Sequence, residues 1–168
     1  MNDMHIAAFT GHRPQSLPWG FNEEAPDCIA FKKRLQMEVE QAIQDGYSHF
    51  LFGGSIGVDL IAARIVLDLK QKYPKIILEC IIPYINQAVL WPTEQQDIYH
   101  NILAECDKKI ILNEKYSRDV YKLWISYMVD RAGLIIAAYC DEQSGSGQTV
   151  RYALEREKRV IVINPCNA

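Results

Sequence analysis

The chain has 168 residues, 49% hydrophobic and 23% charged, with 18 basic and 21 acidic side chains and a net charge of −3. That length reads as one domain spanning 1–168, and the composition excludes a disordered chain. No apolar stretch reaches the roughly 18 residues of a membrane span, the polar start Met1-Asn2-Asp3-Met4-His5 lacks the regions of a signal peptide, and the acidic balance weighs against coating nucleic acid by bulk charge.

A short apolar run at 6–9 reads as a first strand and ends at Thr10-Gly11-His12-Arg13-Pro14. After a loop rich in Pro, Gly and Trp, Asp27 is the expected N-cap of a helix with the stripe Leu35, Val39, Ala42 and Ile43, and Gly46 is its stop. The second strand is 49–52, closed by Gly53-Gly54, and the helix at 57–72 ends before Pro74. Residues 76–82 are apolar at nearly every position, as in a strand covered on both faces. A loop at 83–91, a helix at 93–106 and a strand at 109–112 follow. Ser117 is the expected cap of a helix reaching Arg131, with Val120, Leu123, Trp124, Tyr127 and Met128 as its buried stripe. A strand at 134–139, a polar loop at 141–147, a helix at 149–157 and a strand at 160–163 complete the chain.

Strands alternating with helices predict an α/β fold, a doubly wound and mainly parallel sheet with helices on both faces. With the order 3-2-1-4-5 the first strand is central. Ligands of such sheets bind beyond the carboxyl ends of the strands, where strand order reverses. The five cysteines include no C-x-x-C pair and read as reduced thiols of a cytoplasmic protein, and no zinc-type spacing is present, so no metal is expected.

Three polar loops fall at that carboxyl edge: Thr10 to Arg13, Gly53-Gly54-Ser55-Ile56-Gly57-Val58-Asp59, and Ser144-Gly145-Ser146-Gly147-Gln148-Thr149. Glycines between a strand and a helix let backbone N–H groups approach an anion at the helix N-terminus. The expected site is therefore Gly11, His12 and Arg13 from the first loop, Gly53, Gly54, Ser55, Gly57 and Asp59 from the second, and Ser144, Gly145, Ser146, Gly147 and Thr149 from the third. An arginine there holds a phosphate or carboxylate bidentately. Two readings stand for most of these residues. His12 is an acid/base or a structural histidine; Asp59 takes a ribose hydroxyl or only favours the helix N-terminus. Arg131 either reaches the crevice or only suits its helix C-terminus. Trp19, Trp91 and Tyr84 either stack on a base or pack as core or lid. The glycine loops are neither a full G-x-G-x-x-G nor a P-loop, since no Gly-Lys-Ser/Thr occurs.

The string from Ser144 to Glu155, preceded by Asp130-Arg131 and an apolar strand, resembles the Rossmann domain of the DNA-processing protein DprA, and Gly53-Gly54-x-x-Gly57-x-Asp59 fits the same pattern. These motifs are shared by the SLOG superfamily of Rossmann-like proteins, which also holds the cytokinin-activating LOG enzymes. Thr10-Gly11-His12-Arg13-Pro14 and Pro83-Tyr84 look most like the YpsA-like branch, a bacterial family of largely unknown biochemistry. The resemblance implies a sensor or regulatory domain with a small nucleotide, NAD or an ADP-ribose derivative as ligand. No resident cofactor and no membrane partner are implied, and relatives often pair as homo-oligomers. Two alternatives accompany it. One is a nucleotide-processing N-glycosidase or phosphoribohydrolase, with His12 or Asp59 as acid/base; here Thr149 matches the LOG motif, but Tyr152 stands where the catalytic glutamate would be. The other is a DprA-like single-strand DNA protein, with Arg13, Arg131 and Arg151 as a basic patch.

Overall fold

In the computed structural model, which describes residues 3–167, six strands alternate with five helices. Met1, Asn2 and Ala168, including the first residues of the polar start, lie outside the described residues. The strands are β1 (Ile6–Gly11), β2 (His49–Phe52), β3 (Ile77–Ile82), β4 (Lys108–Ile111), β5 (Leu134–Ala138) and β6 (Arg159–Ile163). The helices are α1 (Pro26–Gln44), α2 (Val58–Leu69), α3 (Thr93–Glu105), α4 (Val120–Arg131) and α5 (Gly145–Glu155). All five strand pairings are parallel, in the order β4-β3-β2-β1-β5-β6. The sheet and its two helical layers are the expected Rossmann-like α/β fold.

Side-chain alternation builds the layers. Ala7 and Phe9 of β1 and Phe50 and Phe52 of β2 join a core with Leu35 of α1, Leu60 of α2 and Tyr99 of α3. Their neighbours Ile6, Ala8 and Leu51 point the other way, into a second core with Met128 of α4 and Val150 of α5. Both faces of the inner strands are thus covered, so these runs carry almost no polar residues.

The order differs from 3-2-1-4-5. The fourth strand lies outside β3, and β5 takes the place beside β1. All four residues of β4 are exposed, Lys108 and Lys109 among them, as suits a short edge strand. Strand 1 is still inner. Order reverses between β1, which continues into β2 on one side, and β5 on the other.

Several ends also shift. Ala25 caps α1 with Pro26 in its first turn, a position that needs no N–H, while Asp27 lies inside the helix and accepts from Cys28 N–H. Asp119, not Ser117, precedes α4. Leu123, assigned to the buried stripe, is 52% exposed. Val120 and Met128 of the expected stripe are buried, and Trp124 and Tyr127 are half-buried against the second core. Helix α5 begins four residues before the expected start. Gly145, Ser146 and Gly147 are its first turn, and the Ser144 Oγ accepts the Gly147 N–H at 3.1 Å.

Candidate ligand-binding cleft

The carboxyl end of β1 is tied to both neighbouring helices. His12 N–H extends the ladder to Ala138 O at 3.1 Å, and His12 O accepts from Val58 N–H at 3.1 Å, clipping the first turn of α2 to the strand. Gly11 permits that approach, since a Cβ there would run into the Val58 side chain. On the other side Thr10 Oγ1 and Ser146 Oγ share a buried hydrogen bond of 3.0 Å, which fixes α5 against the strand end. The N-termini of α2, α4 and α5 therefore meet around one cleft of about 380 Å³ at the point where strand order reverses.

Asp59 lies at the floor of this cleft, 2% exposed. Its Oδ2 accepts from Gly53 N–H at 3.2 Å and Ser55 N–H at 3.4 Å. Its Oδ1 is buried and has no partner. Burial pushes the carboxyl up to about 7 against the pull of those two N–H groups and of Arg13. The loop turns through Gly54 and Gly57 at φ +70° and +101°, and a Cβ on Gly57 would sit 2.6 Å from His12 O. Both glycines serve the turn rather than the cleft wall.

His12 is also buried. Cys140 N–H donates to its Nε2 at 3.0 Å, so this nitrogen carries the lone pair. Burial holds the imidazole below its usual range, against a smaller opposing effect of Asp141. His12 is therefore a neutral, structurally held ring at the cleft wall. Arg13 is exposed, with its guanidinium 5.6 Å from the Tyr121 ring centre and Nη2 donating to Tyr121 Oη at 3.2 Å.

At the α5 end two hydroxyls are held by backbone carbonyls. Ser144 Oγ donates to Asp141 O at 2.6 Å, and Thr149 Oγ1 to Gly145 O at 3.0 Å. Gly145 faces open space, and Gly147 is packed so closely on Glu142 O that a Cβ has no room. The opposite wall is aromatic. A Cβ on Gly53 would fall inside the Trp124 indole, whose Nε1–H donates to Ile81 O at 2.8 Å. Tyr121 lies edge-on to Trp124 at 6.3 Å, and Tyr84 and Tyr116 extend the cluster outward at 6.3 and 6.4 Å from Tyr121.

Of the expected site residues, Gly11, His12, Arg13, Gly53, Ser55, Asp59, Ser144, Gly145, Ser146 and Thr149 line the cleft. Gly54, Gly57 and Gly147 shape the turns behind it. Arg131 does not join them. It lies at the far end of α4, where it bonds Glu79 of β3 at 2.8 Å, and Glu79 also meets His49 at 2.9 Å. Arg151 bonds Glu142 O, so the expected patch of three arginines reduces to Arg13 at the cleft. Trp19 packs on Phe31 and Trp91 on Tyr99, and only Tyr84 of the three loop aromatics joins the cleft's aromatic cluster. Tyr152 donates to Asp130 Oδ1 and lies outside the cleft lining. Sequence reasoning missed Tyr121 and Trp124 as wall residues and Gln87, which donates to Gly53 O at 3.2 Å. The signal available was the shared edge: the helix before β5 must also start there.

Among the described residues no group of three His, Cys, Asp or Glu is placed to hold a metal ion, and no helix is long and apolar enough to cross a membrane.

A parallel doubly wound sheet with a polar, glycine-turned cleft at its reversal point defines a Rossmann-like protein. The sequence model of the YspA SLOG family (YpsA) matches residues 7–162, and the chain belongs to that family. A UPF0398 protein of Bacillus thuringiensis (strain Al Hakam) is 28% identical over 158 residues, 93% of this chain and 84% of the relative; one from Bacillus cereus (strain AH187) matches equally. The fold is similar to DNA processing protein A from Helicobacter pylori, described for its single-stranded DNA binding mode, with a TM-score of 0.63, 17% identity, and coverage of 96% of this chain and 69% of that one. DprA from Streptococcus pneumoniae gives 0.62 at 15% identity, covering 94% of this chain and about half (49%) of that one.

Proposed function

We propose that the cleft binds a small phosphate-bearing nucleotide or nucleotide derivative, of the NAD or ADP-ribose type, and that the protein serves as a sensor of it. The observation that carries this reading is the unpartnered Asp59 Oδ1 at the floor of a cleft rimmed by helix N-termini. A buried carboxyl oxygen without a partner favours a donor such as a ribose hydroxyl. The first turn of α5 and Arg13 suit a phosphate, since helix N–H groups and a guanidinium both favour anions. Trp124 and Tyr121 offer a face for an aromatic base. The volume falls within the roughly 300–1,000 Å³ of small-molecule sites.

Calorimetric titration with AMP, NAD and ADP-ribose tests the reading. At least one binds wild type, and Gly145→Asp, which adds a negative charge where a side chain meets nothing, weakens it at least tenfold with stability unchanged. No heat from any of them at millimolar concentration, with folded protein, sinks it.

A second reading is favoured by one observation. A carboxyl held at about 7 within a cleft suits an acid/base role near neutral pH. An N-glycosidase would then use Asp59, and chromatography for free base after incubation with nucleoside monophosphates separates turnover from binding alone.

A further inference from the structure

Two cysteines that are 26 residues apart in sequence meet beside the cleft. Cys140 follows the end of β5 and Cys166 follows the end of β6, and the last pairing of those strands joins Ala138 to Ile163. The ladder delivers both thiols to one place: their Sγ atoms are 2.8 Å apart, and both residues are exposed. The other three differ. Cys28 and Cys80 are buried, and the Cys106 thiol faces the carbonyls of Leu103 and Lys108.

The pair also touches the site. The Cys140 amide is the donor that holds His12 Nε2, and Cys140 Sγ is 3.7 Å from the same nitrogen. Asp141, the next residue, begins the turn that Ser144 closes to cap α5.

We propose that Cys140 and Cys166 are an oxidation site, a dithiol that a low-molecular-weight disulfide converts reversibly into an intrachain disulfide at the rim of the ligand cleft. A disulfide needs an S–S separation of about 2.05 Å, so closure asks for less than about 1 Å of movement from two segments already held by the same strand pair. Hydrogen bonding between the two thiols raises the Cys140 thiol to about 11, with burial adding to it. Either thiol can start the exchange, and the steps are written from Cys166: its thiolate attacks one sulfur of oxidised glutathione, the glutathione S–S bond breaks, and one glutathione thiolate leaves. Cys140 passes its proton to solvent and attacks the Cys166 sulfur of the mixed disulfide, expelling the second glutathione thiolate. Two protein thiols are oxidised, one glutathione disulfide is reduced to two thiols, and the two protons released end on those leaving sulfurs. The bridge pins the segment after β6 to the segment that orients His12 and leads into the α5 cap. Exposed disulfides of this kind have the higher potentials of labile, regulatory bridges.

The test treats the folded chain with oxidised glutathione and counts free thiols after denaturation, with peptide mapping under non-reducing conditions. Wild type is expected to go from five thiols to three. Its one cross-linked peptide pair joins Cys140 to Cys166, and dithiothreitol restores all five. Cys140→Ser and Cys166→Ser, both at exposed positions, are expected to keep a stable glutathione adduct on the remaining partner, because nothing resolves it. Oxidation also shifts the His12 imidazole resonances in wild type and leaves them in place in the Cys140→Ser/Cys166→Ser double variant, which has no thiol there to react. A wild-type chain that retains five thiols, holds a lasting glutathione adduct, or links a different pair or two chains overturns the assignment. An unmoved His12 resonance overturns the coupling to the cleft. None of these readings depends on which ligand the cleft takes.

Discussion

Replacing Asp59 by Asn removes the ionisable carboxyl buried at the cleft floor while keeping a side chain of the same shape. The Asn carbonyl oxygen can still accept from Gly53 and Ser55 N–H, as Oδ2 does in wild type. The buried carboxyl titrates at about 7 in the fold and at an ordinary 3.8 when exposed. The native state therefore holds its proton where the unfolded state has lost it. Stability from this group is complete below the ordinary value, falls as pH rises between the two, and levels off above about 7. At about 1.4 kcal/mol per tenfold change, that interval is worth about 4 kcal/mol as an upper bound, since water entering the cleft reduces it. Urea unfolding of both proteins at low and at mildly alkaline pH reads the effect as a double difference. Any constant cost of the new amide, which takes the unpartnered Oδ1 position, cancels. The variant is expected to gain on wild type by up to about 4 kcal/mol across the interval. A double difference below about 1 kcal/mol, the error of two extrapolations, refutes the buried-charge account.

Three other perturbations probe the supports of the cleft. Ser144→Ala removes the cap that accepts Gly147 N–H and is expected to cost about 1 kcal/mol in denaturant unfolding, with the α5 amides exchanging faster. Gly53→Ala drives a methyl into the Trp124 indole; the expected loss is about 1–3 kcal/mol, with a shifted tryptophan emission as the indole leaves Ile81 O. Arg131→Met leaves buried Glu79 with only His49, and with a quarter of the Arg131 side chain in water the expected loss is about 2–3 kcal/mol at neutral pH. Burial opposes ionisation of Glu79, but the bonds from Arg131 and His49 prevail and hold it below its usual range. Its contribution is thus present above that range and lost as pH falls through the depressed value, so the gap between wild type and Arg131→Met should close in acid.

The strands were legible because alternation and apolar runs report burial directly. Phe50 and Phe52 face one layer and Leu51 the other, and both faces must be apolar. The place of β4 was not legible: the order 3-2-1-4-5 sets the fourth strand beside the first, and nothing in its four residues names the neighbour it takes, β3. The start of α5 was misplaced because Gly-Ser-Gly is a poor helix former. A tertiary bond from Thr10 to Ser146 and the Ser144 cap supply what local propensity lacks. In the site, the glycine loops and Asp59 were readable because turns and helix starts demand particular residue types. Trp124 and Tyr121 were not, since a helical stripe looks the same against a core or a cleft. Arg131 was equally ambiguous, because its partner Glu79 lies 52 residues away in sequence.

The central claim is that a phosphate-bearing nucleotide sits between the α5 N-terminus and the aromatic wall. Titrating ADP-ribose into isotope-labelled protein and following amide and indole resonances tests it directly. The account predicts saturable shifts at Gly145, Ser146, Ser55 and the Trp124 indole N–H. No shifts at saturating ligand, or shifts confined to the Glu79–Arg131 end of the sheet, would contradict it.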